Sequence, residues 1–374
     1  MDADDERGMV RETVRDFVDD EVVPAAREAE RTETFPEDIW DRLADLELTG
    51  MRVPETYGGL DVDMPTYGVV SEELGRGHLA LATALGVHCM VTECIASFAD
   101  EPIQEEWLPD MAGGRPVGAF ALSEPHAGSD PAAMTTQARR DGDEYVIDGT
   151  KQWITNGERS DVIILFAKTD RSDPETVTQF LVPKDIAGLS VGPREDKLGL
   201  RASDTTPLEF DGARIPAAYR LTPVGDGLSA ALAQLTAGRV LIAFQAVGLM
   251  KAALTAAVDY ANEREQFGQP IIEHQAVAHM LADMKADVRA AELLARDAAR
   301  RNDGDADPLS ASIAKYVASE TAVDVASDAI QVHGGYGYTT DFDVERYYRD
   351  AKVTTIYEGT SEIQQKIIAR HLRE

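Results

Sequence analysis

Apolar residues recur along this chain at two different spacings, and the spacing changes twice. From residue 1 to about 116 they fall every three or four positions. Val14, Phe17 and Val18 share one face, and Ile39, Leu43 and Leu46 share another, which predicts helices. Pro54, Gly58, Gly59 and Pro65 interrupt them as a loop. Between about 117 and 225 the pattern is that of strands. Residues 145–154 predict a hairpin that turns on Asp148-Gly149, because glycine tolerates the positive φ of a tight turn. The short apolar runs 162–167 and 178–182 predict two further strands, and Gly225-Asp226-Gly227 closes the region. Beyond it, residues 241–260, 275–301 and 310–332 predict long helices, the last stopped by Gly334-Gly335. Ser361 with Gln364 three residues on is a capping-box pattern. Ile363, Ile367 and Ile368 follow it at helical spacing, so a final helix starts near Ser361.

A chain of 374 residues exceeds what one hydrophobic core usually supports. The expected fold class is α+β and multidomain: an N-terminal helical domain at 1–116, a central β-domain at 117–225 and a C-terminal helical domain at 226–374.

Charge removes several function classes. The formal net charge is −31, which opposes binding to nucleic acid, whose phosphates it would repel. Lysine is scarce beside arginine, nine against twenty-seven, and acidic residues are spread along the whole length. With 44% hydrophobic residues, this composition predicts a folded protein adapted to concentrated salt rather than a disordered acidic one. At 1 M salt the Debye length is about 3 Å and self-repulsion is screened. Cys89 and Cys94 fit neither zinc spacing nor a disulfide framework and are expected as buried thiols. The seven histidines do not pair at ligand spacing, so no metal is expected. The acidic N-terminus is unlike a targeting peptide and no apolar run is expected to reach membrane-spanning length, so a cytoplasmic protein without membrane insertion is expected.

The candidate chemistry lies near the C-terminus, in Tyr357-Glu358-Gly359-Thr360. Glu358 falls on the bend entering the last helix. The glycine beside it leaves the carboxylate and the neighbouring N–H open to a ligand, a good place for a general base. A lone Glu-Gly pair is more often a surface turn. No Gly-x-Gly-x-x-Gly follows a strand, so a dinucleotide site of Rossmann type has no support.

Three segments taken together change the balance. Phe120 to Asp130 (Phe-Ala-Leu-Ser-Glu-Pro-His-Ala-Gly-Ser-Asp), Trp153-Ile154-Thr155-Asn156-Gly157 and the Glu358 segment resemble the acyl-CoA dehydrogenase family. Val53-Pro54-Glu55, Ser71 to Arg76, Leu198 to Arg201, Arg264 to Gly268 and Gln331 to Gly335 fall in family order between and around them. The resemblance implies a helical domain, a β-domain and a C-terminal four-helix-bundle-like domain. It implies bound FAD, an acyl-CoA substrate, an electron-transfer flavoprotein as acceptor, and a homotetramer serving fatty acid β-oxidation. It implies that Glu358 takes the α-proton while the β-hydride passes to flavin N5.

The resemblance also implies the site residues. Phe120, Leu122, Ser123 and Ser129 would run along the flavin, with Trp153, Ile154 and Thr155 beside it. Arg264, Phe267, Gln275, Gln331, Gly334 and Gly335 would hold the adenosine and pyrophosphate, some from a neighbouring subunit, and Thr360 and Glu362 would also contact FAD. Ser129, Thr236, Arg239, Tyr357 and Gly359 match substrate positions. Some relatives carry the base at the position of Gly238, where this chain has none, so Glu358 is the remaining candidate and the short- or medium-chain type is favoured. His126 stands where glycine or asparagine is more usual and receives no role. An oxygen-using oxidase or a flavin monooxygenase of the same fold is the alternative.

Overall fold

The computed structural model describes residues 3–373. Six helices come first: α1 (Ala3–Phe17), α2 (Val23–Thr32), α3 (Glu37–Asp45), α4 (Met64–Gly77), α5 (Leu79–Phe98) and α6 (Glu101–Ala112). Seven strands follow: β1 (Gly118–Ala121), β2 (Gln137–Asp141), β3 (Glu144–Ile154), β4 (Val162–Lys168), β5 (Val177–Pro183), β6 (Leu189–Val191) and β7 (Thr206–Pro216). The chain then returns to helices in α7 (Gly227–Glu263), makes a small hairpin of β8 (Glu265–Gln266) and β9 (Gln269–Pro270), and continues as α8 (Gln275–Arg301), α9 (Pro308–His333), α10 (Val344–Thr354) and α11 (Ser361–His371).

The first and last helical regions share one apolar core. Trp40, Leu74 and Leu81 from the first region and Phe244, Met250 and Val288 from the last belong to a single buried cluster. Helices α4 and α7 can approach closely because glycine lies at their crossing: a Cβ on Gly248 would stand 2.0 Å from the Glu72 carbonyl oxygen. The β-domain has its own core, in which Tyr145 packs edge-on against Phe180 at 4.9 Å between ring centres.

Two expectations need correction. Residues 145–154 form no hairpin: β3 is one strand from Glu144 to Ile154, paired antiparallel along its length with β7. Asp148-Gly149 marks a register shift in that ladder, where Asp148 Oδ1 accepts the Gly212 N–H at 2.9 Å. The reversal occurs at the other Asp-Gly pair, Asp141-Gly142, with Gly142 at φ 66°. Two equal turn signals lie seven residues apart, and pairing with β7 decides which one turns. Second, α5 and α7 are long and apolar enough to cross a membrane by length and composition. Their most apolar windows are 78% and 72% buried by the rest of the protein, so this apolar character serves the core.

Candidate active site

Glu358 lies in the turn between α10 and α11 with φ 51°, and Gly359 follows at φ 97°. A left-handed conformation at a non-glycine residue costs roughly 1–2 kcal/mol and persists only where neighbours enforce it. Here they do. Ser361 N–H donates to the Thr355 carbonyl at 3.0 Å. Two side chains donate to the Gly359 carbonyl, each at 2.8 Å: Lys315 Nζ from α9 and Gln364 Nε2 from α11. Arg239 Nε on α7 reaches the Glu358 carbonyl at 3.4 Å. The capping box does not form. Thr360 is the cap residue and makes no side-chain cap bond, while Gln364 turns to the Gly359 carbonyl and the Ser361 hydroxyl is taken by Glu320.

The carboxylate of Glu358 occupies the space that Gly238 leaves free. A Cβ at 238 would stand 2.0 Å from Oε2 and 2.8 Å from Cδ. Glycine here therefore does more than lack a base: any larger residue would displace the carboxylate of Glu358. Oε2 is buried and has no hydrogen-bond partner among the described residues. Burial pushes the carboxyl up to about 7, against the pull of Arg239 and Lys315. Among the described residues no acceptor is paired with the Glu358 N–H. The turn thus presents an unpaired carboxylate oxygen and a free amide from the same residue.

The β-domain contributes a second strip. β1 carries Phe120, which packs on Phe166 at 4.9 Å between ring centres. Gln152 N–H donates to the Ser123 carbonyl at 2.9 Å, which sets Trp153 beside that segment. Trp153 takes φ 64°, and its indole is 60% exposed. Buried Glu124 anchors the turn that follows. It pairs with buried Lys151 at 2.9 Å and accepts the N–H groups of Thr135 and Thr136. Ser123 is half-buried, Thr155 is half-buried, and Ser129 is exposed. Leu122 and Ile154 point their side chains into apolar clusters, so only their main chain is open to a ligand.

A third group lies at the far end of α7. An open cleft of about 540 Å³ brings Arg264, Gly334 and Gly335 together with Tyr260 and His333. Nothing stands within 4 Å of where a Cβ of Gly334 or Gly335 would be. The cleft shares no lining residue with the Glu358 turn. Phe267, Gln275 and Gln331 lie outside the lining. Phe267, at the tip of the β8–β9 hairpin, is 96% exposed, and Gln275 and Gln331 are exposed at the start of α8 and the end of α9.

Two expected substrate positions are turned inward. The Thr236 hydroxyl is spent on the Leu232 carbonyl of its own helix at 2.9 Å, and Arg239 is buried behind Glu358. Tyr357 places its hydroxyl 3.5 Å from Gln245 Oε1. Thr360 and Glu362 lie at the start of α11, Glu362 exposed. The sequence does not single out Lys315, and it points to Gln364 only as a capping-box partner, not as a donor to the Gly359 carbonyl. The signal for Lys315 was a single cation on the stripe of Ala311, Ala314, Ala318 and Ala322, all buried.

The model described as the acyl-CoA dehydrogenase N-terminal domain matches residues 4–115, the middle domain 119–213 and the C-terminal domain 225–373. An acyl-CoA dehydrogenase of Bacillus subtilis is 44% identical, covering 98% of both chains. The short-chain specific acyl-CoA dehydrogenase of Sus scrofa mitochondria is 41% identical, covering 97% of this chain and 89% of its own. Among solved structures, butyryl-CoA dehydrogenase of Megasphaera elsdenii superposes with a TM-score of 0.96 at 35% identity over all of both chains. A glutaryl-CoA dehydrogenase of Mycobacterium smegmatis, solved with FADH2, superposes with a TM-score of 0.94 at 33% identity, covering 100% of this chain and 95% of that one. With family models over nearly its whole length and relatives above 40% identity, this chain belongs to the acyl-CoA dehydrogenase family.

Proposed function

We propose that the protein is a FAD-dependent dehydrogenase of short-chain acyl-CoA thioesters, forming the trans-2-enoyl-CoA with Glu358 as the base. The observation that carries this is the buried, unpaired Oε2 of Glu358 beside Gly238. The relatives named for short-chain and butyryl substrates support the chain length. The residues fit FAD: the exposed Trp153 indole flanks the Ser123 strip, and Arg264 faces the open glycine pair in a cleft of about 540 Å³. Arginine suits a pyrophosphate because its planar fork donates two parallel bonds. FAD, when bound, would supply the acceptor for the β-hydride, and an electron-transfer flavoprotein is the proposed partner for reoxidation.

The protein's own groups do the rest. The Glu358 N–H donates to the thioester oxygen and stabilises the charge that develops there as the α-proton leaves. Glu358 Oε2 takes that proton. A carboxyl held at about 7 is ionised in about half of the molecules at neutral pH and is a stronger base than an ordinary glutamate. Burial of Glu358 Oε2 keeps water from the carboxylate and strengthens its charge interactions. Exposed Phe267 and Tyr338 fit an assembly in which the cofactor is completed by a second subunit, so a homotetramer forms part of the proposal. Anaerobic bleaching of the bound flavin by a panel of straight, branched and aromatic acyl-CoA esters tests the reading. Butyryl-CoA should bleach it fastest. A panel in which no straight-chain ester bleaches the flavin, or rapid oxygen uptake on adding butyryl-CoA, would contradict it.

A further inference from the structure

Behind the base lies a charge with no ordinary partner. Lys315 is fully buried on the alanine stripe of α9. Among the described residues the one bond of its ammonium is the 2.8 Å contact from Nζ to the Gly359 carbonyl. A buried ammonium resting on a single neutral acceptor is costly unless an anion stands near. Glu358 is that anion: it is the first of the charges that hold Lys315 protonated, ahead of Glu320 and Glu362. Glu320 is already bonded to the Ser361 hydroxyl, and Glu362 is exposed on α11. The Gly359 carbonyl does not need Lys315 as a donor alone, since Gln364 Nε2 also reaches it at 2.8 Å. What Lys315 adds is charge.

We propose that Lys315 is a positioning residue for the base: its buried ammonium, anchored on the Gly359 carbonyl, holds the left-handed turn and keeps the Glu358 carboxylate available to take the α-proton. This rests on the reading of Glu358 as the base. The charged and titratable groups facing Glu358 are Arg239 from α7, Lys315 from α9 and its neighbour Tyr357, while Glu320 of α9 and Glu362 of α11 face Lys315, and Asp350 of α10 faces Tyr357. Among the described residues, Arg239 and Lys315 are the groups that oppose the effect of burial on Glu358. Burial in turn brings Lys315 down to about 8. Removing a positive neighbour disfavours the carboxylate, so its midpoint must move to higher pH.

The test is an infrared pH titration of the holoenzyme, following the protonated-carboxyl band that Glu358→Gln lacks. The acid limb of anaerobic flavin reduction is recorded alongside. Lys315→Met should raise the midpoint and the limb by about one pH unit or more, whereas Lys315→Arg should leave both close to wild type. Gln364→Leu removes the neutral donor to the same carbonyl and should leave the midpoint in place. A Lys315→Met midpoint equal to wild type overturns the proposal, as does an equal shift in Gln364→Leu. Should Lys315→Met fail to fold, Lys315→Arg still decides, because a midpoint displaced by about a unit with the charge retained contradicts the proposal. If Glu358→Gln reduces its flavin normally, the base assignment fails, and a shifted Lys315→Met midpoint then shows only that Lys315 holds the Glu358 carboxylate ionised; a slow Glu358→Gln with an unshifted Lys315→Met midpoint overturns the role of Lys315 alone.

Discussion

Glu358 sits where folding alone would not put it. Its backbone is left-handed at φ 51°, and its carboxyl is raised from an ordinary 4.5 to about 7 by burial. A carboxyl raised in the folded state binds its proton more tightly there than in the unfolded chain. Stability is therefore lost as pH rises from about 4.5 to about 7 and stays lost above. Glu358→Gln removes the ionisation and keeps the shape, so it should stabilise the protein by about 1–3 kcal/mol at pH 8, with a smaller gain at pH 5. Thermal melts of both proteins at the two pH values check this. Equal melting temperatures at pH 8 would mean that the carboxylate is not held at a cost.

At the scale of elements, the crossing of α4 and α7 fixes where α7 presents Gly238 and Arg239. A Cβ at Gly248 would meet the Glu72 carbonyl oxygen at 2.0 Å, and backbone cannot yield as a side-chain end does. Gly248→Ala should cost about 1–3 kcal/mol or more, measured by denaturant unfolding. An unchanged midpoint would show that the helices can separate freely. This crossing was not legible in the sequence, whereas α8 was. Its amphipathic pattern gives 275–301, and the helix runs Gln275–Arg301. The helix predicted at 241–260 extends in fact from Gly227 to Glu263. Its first turns are rich in alanine and glycine and carry no strong periodicity, so tertiary packing rather than pattern sets them. Glu358 was legible as an open carboxylate beside a glycine at a helix start, and the family resemblance carried by the distant segments singled it out from ordinary surface turns. Lys315 was not, because its tie to the turn spans 44 residues and depends on how α9 is placed. Gly238 was legible as a missing carboxylate but not as the space the Glu358 carboxylate occupies.

Across the whole molecule, the charge of −31 is partly organised. Buried Glu72 and Glu73 on α4 bind Arg11 and Arg15 of α1, Arg76 of α4 itself and Lys251 of α7, and Lys251 passes the network on to Glu292 of α8. Such buried pairs are screened little by salt, whereas the spread of surface carboxylates repels itself. At 0.01 M salt the Debye length grows to roughly 30 Å and that repulsion reaches across the molecule. The melting temperature should therefore rise steeply between dilute buffer and molar KCl, and desalting should release flavin and subunits. A melting temperature independent of KCl would remove salt adaptation from the account.

The central claim is that Glu358 takes the α-proton, and stopped-flow anaerobic flavin reduction by butyryl-CoA tests it most directly. Glu358→Gln should still bind FAD and acyl-CoA but reduce its flavin about 10²–10⁴ times more slowly, as the loss of a general base requires. Reduction within a few-fold of wild type would contradict it.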